Sequence, residues 1–269
     1  MPTLVTDQGI VHYQVYGRGR PVILLHGWLG SWALWRSTIE DLGTEYRTYA
    51  IDFFGFGESR SQEVSVDLYI DLVNQFMYRL GIQRAALVGH SMGGTVSLGV
   101  AARYPERVAK VTVIGSPIVG SSLNVFLKLS GYRYVAKLSY KLPFLKDSLI
   151  YLLTRFGGPN GALTYEMVRE DAAKVAPDAF FQSIGTLAQV DLTPDLPRLN
   201  IPILGMYGRR DLIVKPDQGK LLVQYAPHAR EDWYENAGHF PMMDMPDRFR
   251  ATLRGFLANS SQSTHPHGG

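Results

Sequence analysis

The sequence contains no cysteine, which excludes a disulfide framework, a thiolate metal site and a cysteine nucleophile. Charge of one sign is not in large excess, because 27 Lys and Arg against 24 Asp and Glu leave a net charge of +3. That value is too small to predict the basic face of a nucleic-acid-binding protein. No apolar run of about twenty residues predicts a membrane-spanning helix, and the first residues lack the features of a signal peptide. We therefore expect a cytoplasmic, enzyme-sized globular protein of 269 residues with no nucleic-acid partner.

Short apolar runs alternate with longer amphipathic segments along the chain. This pattern is typical of a mainly parallel sheet with helices on both faces, an α/β fold. The runs without polar alternation predict buried strands at residues 11–16, 22–25, 46–51, 85–88, 111–114 and 203–207, and residues 230–234 predict a polar edge strand. Helical spacing predicts helices at 66–80, 91–104 and 248–257.

One region departs from the alternation. Residues 118–190 have helical spacing without a convincing strand, and the next strand is expected at Ile201. We predict a helical cap over 118–190, a core formed by 1–117 and 191–258, and a disordered tail at 259–269. An insertion between two strands of one sheet would cover their carboxyl ends, where open α/β sheets bind ligands.

A G-x-S-x-G sequence lies between the predicted strand at 85–88 and the following predicted helix. Gly89 and Gly93 leave room for a tight turn that presents the hydroxyl of Ser91 to a cleft. Outside this context the five-residue pattern has little specificity, and it would mark a turn with a capping serine. In a strand–turn–helix context it predicts that Ser91 is a catalytic nucleophile.

A serine nucleophile needs a base, and the base needs an orienting carboxylate. His239 lies in a loop between the last predicted strand and the last helix, and Asp211 follows the strand at 203–207. Both positions should reach the sheet edge that carries Ser91, so we predict a Ser91–Asp211–His239 triad. His90 is set aside because it lies inside the turn. The competing acids, in helix or strand positions, are Asp217, Asp232 and Asp244.

Acyl transfer also requires donors at the oxygen on which negative charge develops. The backbone amide of Met92 follows the nucleophile, and the amide of Trp28 lies in the loop after the strand at 22–25. We predict these two amides as the oxyanion hole. The side chains of Trp28 and Phe240 are predicted to contact substrate, although simple packing remains open for the indole.

Five segments together resemble the α/β-hydrolase superfamily. They are Leu-Leu-His26-Gly27-Trp28, Asp52-Phe-Phe-Gly55-Phe-Gly57-Glu-Ser59, Gly89-His-Ser91-Met-Gly-Gly94, Gly208-Arg-Arg-Asp211 and Gly238-His239-Phe-Pro241. The resemblance is to a carboxylesterase or lipase-like member with a helical cap. It implies a serine hydrolase that cleaves carboxylic esters through an acyl-enzyme. It implies no metal and no organic cofactor. The apolar cap and the aromatic-rich entrance favour small to medium, uncharged acyl groups.

The same comparison narrows the chemistry but leaves alternatives. Haloalkane dehalogenases and epoxide hydrolases of the superfamily have an aspartate where this chain has Ser91. Its hydrolases of C–C bonds typically have Asn before the serine and Trp after the histidine, where His90 and Phe240 stand here. The open alternatives are a C–C or C–N bond hydrolase, a cofactor-free haloperoxidase-like enzyme, and a ligand-binding receptor that retains the triad.

The first half of the predicted cap is strongly cationic. Residues 118–156 contain six cations and one acid, Asp147, a net charge of +5; the cations are Lys128, Arg133, Lys137, Lys141, Lys146 and Arg155. Since the whole chain is +3, the remainder is net negative. Aromatic and aliphatic residues interleaved with cations are typical of helices at an anionic lipid interface. The alternative is that the apolar face packs on the core while the lysines are solvated. The sequence does not predict an oligomeric state.

Overall fold

A computed structural model describes residues 2–132, 134 and 142–259. Within them the strands form one sheet in the order β1-β2-β4-β3-β6-β7-β8-β9, with β5 paired to β2. The strands are β1 Thr3–Val5, β2 Gly9–Tyr16, β3 Arg20–Leu25, β4 Tyr46–Ile51, β5 Arg60–Ser61, β6 Ala85–His90, β7 Val108–Ile114, β8 Ile203–Gly208 and β9 Ala229–Tyr234. The pairing of β3 with β4 and β6, and of β7 with β6 and β8, is parallel, as is that of β8 with β9. The predicted, mainly parallel sheet is confirmed.

Helices cover both faces of the sheet. They are α1 Arg36–Leu42, α2 Val66–Arg79, α3 Met92–Arg103, α4 Val125–Ser130, α5 Pro143–Arg155, α6 Gly161–Ala172, α7 Pro177–Leu187, α8 Gln218–Tyr225, α9 Pro241–Asp244 and α10 Pro246–Ala258. Apolar residues of α2, α3 and α8 belong to one buried cluster, and those of α1 and α10 belong to a second. Two separate clusters are expected when a sheet buries both of its faces.

The described residues between β7 and β8 form helices α4–α7, in agreement with the helical spacing of the sequence. Two hydrogen bonds join this inserted segment to the loop after β3. The indole Nε1 of Trp28 donates to the carbonyl of Phe180 in α7 at 3.1 Å. The hydroxyl of Ser31 donates to the carboxylate of Asp171 in α6 at 2.9 Å. These bonds hold α6 and α7 over the carboxyl end of β3.

Some details differ from the sequence expectations, and some expectations fall on residues outside the described ones. Strands β1 and β5 are additional to those predicted. β8 begins at Ile203, as the apolar run at 203–207 predicts, and not at Ile201. The predicted disorder at 260–269 and the predicted cations Arg133, Lys137 and Lys141 lie outside the described residues. Asn259, which we had placed in that tail, accepts a hydrogen bond from the buried ammonium of Lys110. In the part of the chain that the structure describes, no helix has the length and apolarity needed to cross a bilayer.

Candidate active site

Ser91 lies at the sharp turn between β6 and α3. Its backbone has φ 51° and ψ −119°, in the left-handed half of the map that residues with a Cβ rarely occupy. A Cβ on Gly93 would lie 2.2 Å from the carbonyl oxygen of Leu25, and one on Gly89 would lie 2.2 Å from the backbone of Gly93. The two glycines therefore permit the close packing that the G-x-S-x-G pattern predicts.

His239 and Asp211 are brought together by the loops after β9 and β8. The Nδ1–H of His239 donates to Oδ2 of Asp211 at 2.7 Å, and both side chains are buried. The second oxygen of Asp211 accepts the backbone amides of Ile213 at 2.8 Å and Val214 at 2.9 Å. Because both carboxylate oxygens are hydrogen-bonded, the imidazole is held in one orientation with its proton on Nδ1.

The competing acids have other partners. Asp217 accepts from the side chain of Gln218, and Asp232 pairs with Arg248 at 2.6 Å. Asp244 accepts the backbone amide of Gly238 at 2.9 Å. Among the described residues, Asp211 is the carboxylate hydrogen-bonded to the His239 ring.

Ser91 and His239 line the same cavity. Within residues 2–132, 134 and 142–259, no hydrogen bond joins the Ser91 hydroxyl to the His239 ring. Such catalytic hydrogen bonds are often long in ligand-free sites and tighten when substrate binds.

The predicted oxyanion donors are the amide of Met92, next to the nucleophile, and that of Trp28, a residue in the wall of the same cavity. Met92 is the first residue of α3, where a backbone N–H has no partner inside the helix. In the loop that carries Trp28, the following residue Leu29 has a positive φ of 59°. Its backbone is therefore strained, as that of Ser91 is. No hydrogen bond of the Met92 or Trp28 amide is found in the described part of the chain. Both amides are therefore available as donors.

The cavity above Ser91 has a largely apolar wall. Its wall is formed by Trp28, Leu29, His90, Ser91, Leu123, Leu127, Leu149, Ile150, Leu153, Thr154, Val168, Phe180, Ile184, Leu187, Ile213, His239 and Phe240. The hydroxyl of Thr154 donates to the carbonyl of Ile150 and is thus already paired. Among the described wall residues there is no Lys, Arg, Asp or Glu. Trp28 and Phe240 are both in the wall, as expected of residues that contact substrate.

A sequence model of the α/β-hydrolase fold matches residues 20–246, which is most of the chain. The chain belongs to the α/β-hydrolase family. This finding confirms the predicted family and fold class.

Curated members of the family resemble this α/β hydrolase along nearly its whole length. A pimeloyl-[acyl-carrier protein] methyl ester esterase from Aliivibrio salmonicida is 29% identical, covering 92% of this chain and 95% of the relative. A 2-hydroxy-6-oxo-6-phenylhexa-2,4-dienoate hydrolase from Burkholderia cepacia is 30% identical and covers 95% of each chain. A thermophilic esterase from Thermogutta terrifontis superposes with a TM-score of 0.82 at 25% identity, covering 95% of this chain and 96% of that one. The relatives thus include esterases and a hydrolase of the ring-cleavage type.

His90 is a site residue of this α/β hydrolase that sequence reasoning set aside. Its ring lies 4.7 Å from the ring of His239, and its Nε2 lies 2.9 Å from the backbone carbonyl of His239. A carbonyl only accepts, so His90 Nε2 carries the proton and donates. Burial, reinforced by the adjacent His239, holds the pKa of His90 well below the ordinary histidine value. His90 is thus a neutral residue that positions the His239 loop.

Asp244 is a second positioning residue, although the sequence marked it as a competitor for the triad. Its carboxylate accepts the amide of Gly238 at 2.9 Å and the amide of Asn160 at 3.1 Å. Burial raises the pKa of Asp244. The His239 loop is therefore joined to the start of α6 in the inserted segment. The contact with Asn160 spans 84 residues, so no local pattern could have revealed it.

Acidification is expected to destabilise this fold through His90 and His26, because burial lowers the pKa of both. Below the ordinary histidine pKa, these two imidazoles are protonated in the unfolded chain but stay neutral in the native state. The free energy of unfolding therefore falls as pH falls. For each histidine that is protonated only in the unfolded chain, the free energy of unfolding falls by about 1.4 kcal/mol for each pH unit below the ordinary histidine pKa. Urea unfolding at pH 7.5 and pH 5.5 measures it. H90N, which keeps a side-chain amide donor, should show a smaller fall; an unchanged fall would contradict the assignment to His90.

Proposed function

We propose that this α/β hydrolase is a serine hydrolase of carboxylic esters that works through an acyl-enzyme. The observation that carries the proposal is the buried Asp211–His239 pair beside the strained Ser91 turn, at the wall of one apolar cavity. Relatives named as esterases support ester hydrolysis. We also propose the division into a core of 1–117 and 191–258 and a cap of 118–190.

In the proposed acylation step, His239 removes the proton of the Ser91 hydroxyl as its oxygen attacks the ester carbonyl. Asp211 holds the imidazole and stabilises the imidazolium. The amides of Met92 and Trp28 donate to the developing oxyanion. His239 then gives its proton to the leaving alcohol, and the acyl group remains on Ser91.

In the proposed deacylation step, water replaces the alcohol. His239 removes a proton from that water, which attacks the acyl carbonyl, and the proton is returned to Ser91 as the acid leaves. Every proton in the cycle passes through the Nε2 atom of His239. Its other nitrogen donates to Asp211 throughout.

The apolar wall of the cavity favours hydrolysis of an uncharged ester over cleavage of a C–C bond in a substrate that carries a carboxylate. The Burkholderia cepacia relative is named as a hydrolase of a dienoate, which is an anion. Burying a carboxylate without a charged or hydrogen-bonding partner is costly. The described wall offers no cation, and its hydroxyl at Thr154 is paired internally. We therefore propose uncharged acyl groups of small to medium size as substrates.

The p-nitrophenyl ester series from acetate to palmitate tests this function. We expect multiple turnovers, with kcat/KM rising by at most about fourfold for each methylene that the cavity buries and falling once it is full. No turnover by folded protein would contradict ester hydrolysis and favour a C–C or amide substrate, or a receptor.

A pair of adjacent leucines in α5 provides a size test. Leu153 is buried in the cavity wall, whereas Leu152 is half exposed on the other side of the helix. L153W is expected to lower kcat/KM for the octanoate ester at least tenfold while acetate changes little, because the indole fills the acyl space. L152W is the matched control. Equal effects of L153W on acetate and octanoate would contradict the placement of the acyl chain.

A further inference from the structure

Helix α5 is apolar on two opposite faces. Ile150 and Leu153 on its inner face line the cavity above Ser91. On its outer face, Phe144 and Leu152 are 62% and 51% exposed. These outer residues are eight positions apart and therefore lie on one side of the helix, with Tyr151 beside them. Globular helices usually bury their apolar face and expose a polar one, so the exposure of Phe144 and Leu152 departs from the usual pattern.

The exposed apolar residues extend beyond this helix. Of the fifteen large apolar side chains that are exposed in the described part of the chain, nine lie between residues 125 and 163: Val125, Leu129, Tyr132, Tyr134, Phe144, Tyr151, Leu152, Phe156 and Leu163. The rings of Tyr151 and Phe156 are 6.0 Å apart. We define the outer apolar face as Phe144, Tyr151, Leu152 and Phe156. Contiguous exposed apolar surface of this kind marks an interaction site.

Arg155 lies beside the outer apolar face. The guanidinium of Arg155 lies 5.9 Å from the centre of the Phe156 ring, and its side chain is exposed. The stretch 118–156 carries a net charge of +5 in a chain whose total is +3. The single acid of this stretch, Asp147, accepts a hydrogen bond from the hydroxyl of Tyr165 at 2.8 Å. The outer apolar face thus has a cation beside it and belongs to a stretch whose sequence is strongly cationic.

The exposed apolar side chains and the positive charge together indicate which kind of partner binds the outer apolar face. A second copy docked through the same face would bring two segments of net charge +5 together, and like charges at an interface are unfavourable. An anionic bilayer offers both an apolar interior and negative headgroups. We infer that the outer apolar face docks on anionic phospholipid membranes. Phe144, Leu152 and Phe156 enter the headgroup boundary, and Arg155 lies at the phosphates.

Vesicle co-sedimentation of the full chain tests this inference. The probe is a vesicle of equal parts phosphatidylcholine and phosphatidylglycerol. We expect binding at low ionic strength and weaker binding at high salt, where phosphate attraction is screened. The triple variant F144Q/L152Q/F156Q should lower the partition coefficient on the order of tenfold or more, because glutamine keeps the helix but does not enter the apolar layer.

A matched variant controls for loss of exposed apolar area in general. Val5, Ile10 and Tyr78 are similarly exposed on β1, β2 and α2, away from the inserted segment. V5Q/I10Q/Y78Q should bind vesicles as the wild type does, and circular dichroism should show both variants folded.

Four outcomes would overturn the lipid assignment. They are no binding of the wild type to anionic vesicles at low salt, equal binding of the F144Q/L152Q/F156Q variant, equal binding to pure phosphatidylcholine, and a wild-type dimer that this variant dissociates without any vesicle binding. Hydrolysis of a soluble short-chain ester is measured in parallel. It should be the same in all three proteins, and its failure would count against the proposed function and not against docking.

Discussion

Replacing Ser91 with alanine is expected to lower kcat for ester hydrolysis by about 10⁵-fold or more, as loss of a triad serine does elsewhere. The variant removes the oxygen that attacks the carbonyl, so no acyl-enzyme forms. Alanine also has a Cβ, so the strained φ of 51° at this position is neither relieved nor worsened. The fold should therefore be retained, and the residual rate should come from the oxyanion donors and from substrate binding alone.

The measurement is kcat for steady-state ester hydrolysis by the wild type, by S91A and, as a control, by S97A at equal protein concentration. Ser97 is a buried serine of the same helix, and its hydroxyl donates to the carbonyl of Gly93 at 2.8 Å. S97A should keep kcat within a few-fold of the wild type, because the helix's own backbone hydrogen bonds remain. An S91A protein with kcat within tenfold of the wild type would refute the nucleophile. A wild type that releases product only stoichiometrically would favour the receptor.

The sequence predicts the longer strands, including the polar edge strand β9, and misses two short ones. β6, β7 and β8 read as continuous apolar runs because helices cover both of their faces. β1 has two exposed residues of three, and β5 has only two residues. Pairing with β2 makes them strands, and a partner in another part of the chain leaves no local pattern.

The residues of the site also divide into those that the sequence predicts and those whose roles depend on distant partners. The meeting of Ser91, Asp211 and His239 at one edge of the sheet was predictable, since each follows a strand and parallel strands bring their carboxyl ends to one edge. The roles of His90 and Asp244 were not. His90 contacts a backbone carbonyl 149 residues away, and Asp244 contacts an amide 84 residues away. Residue type gives no indication of such partners, and the position of His90 inside the turn only argues against it as the base.

The inserted helices differ in how they are attached. α6 and α7 are hydrogen-bonded to the loop after β3 through Ser31 and Trp28. α5 contacts α6 instead, through the Tyr165–Asp147 hydrogen bond. The cavity therefore has one wall fixed to the core and one wall, α5, supported by another inserted helix. Helix α5, which contacts α6, also carries the outer apolar face.

Asp211→Asn is expected to lower kcat by about 10⁴-fold while the protein stays folded. The amides of Ile213 and Val214 both donate to Oδ1 of Asp211, so an asparagine must keep its carbonyl oxygen there. Its NH₂ group then faces Nδ1 of His239, which is forced to accept. The imidazole proton moves to Nε2, and the ring can no longer remove the proton of Ser91.

The control for this variant is Asp217→Asn, which removes the same charge from an acid that contacts Gln218 instead of His239. It should leave kcat within a few-fold of the wild type. Proton NMR of the ring nitrogens at neutral pH provides an independent reading, because D211N should show the His239 proton on Nε2 and the wild type should show it on Nδ1. A D211N enzyme within tenfold of wild-type kcat, or one with the proton still on Nδ1, would mean that the carboxylate does not set the tautomer on which the proposed mechanism depends.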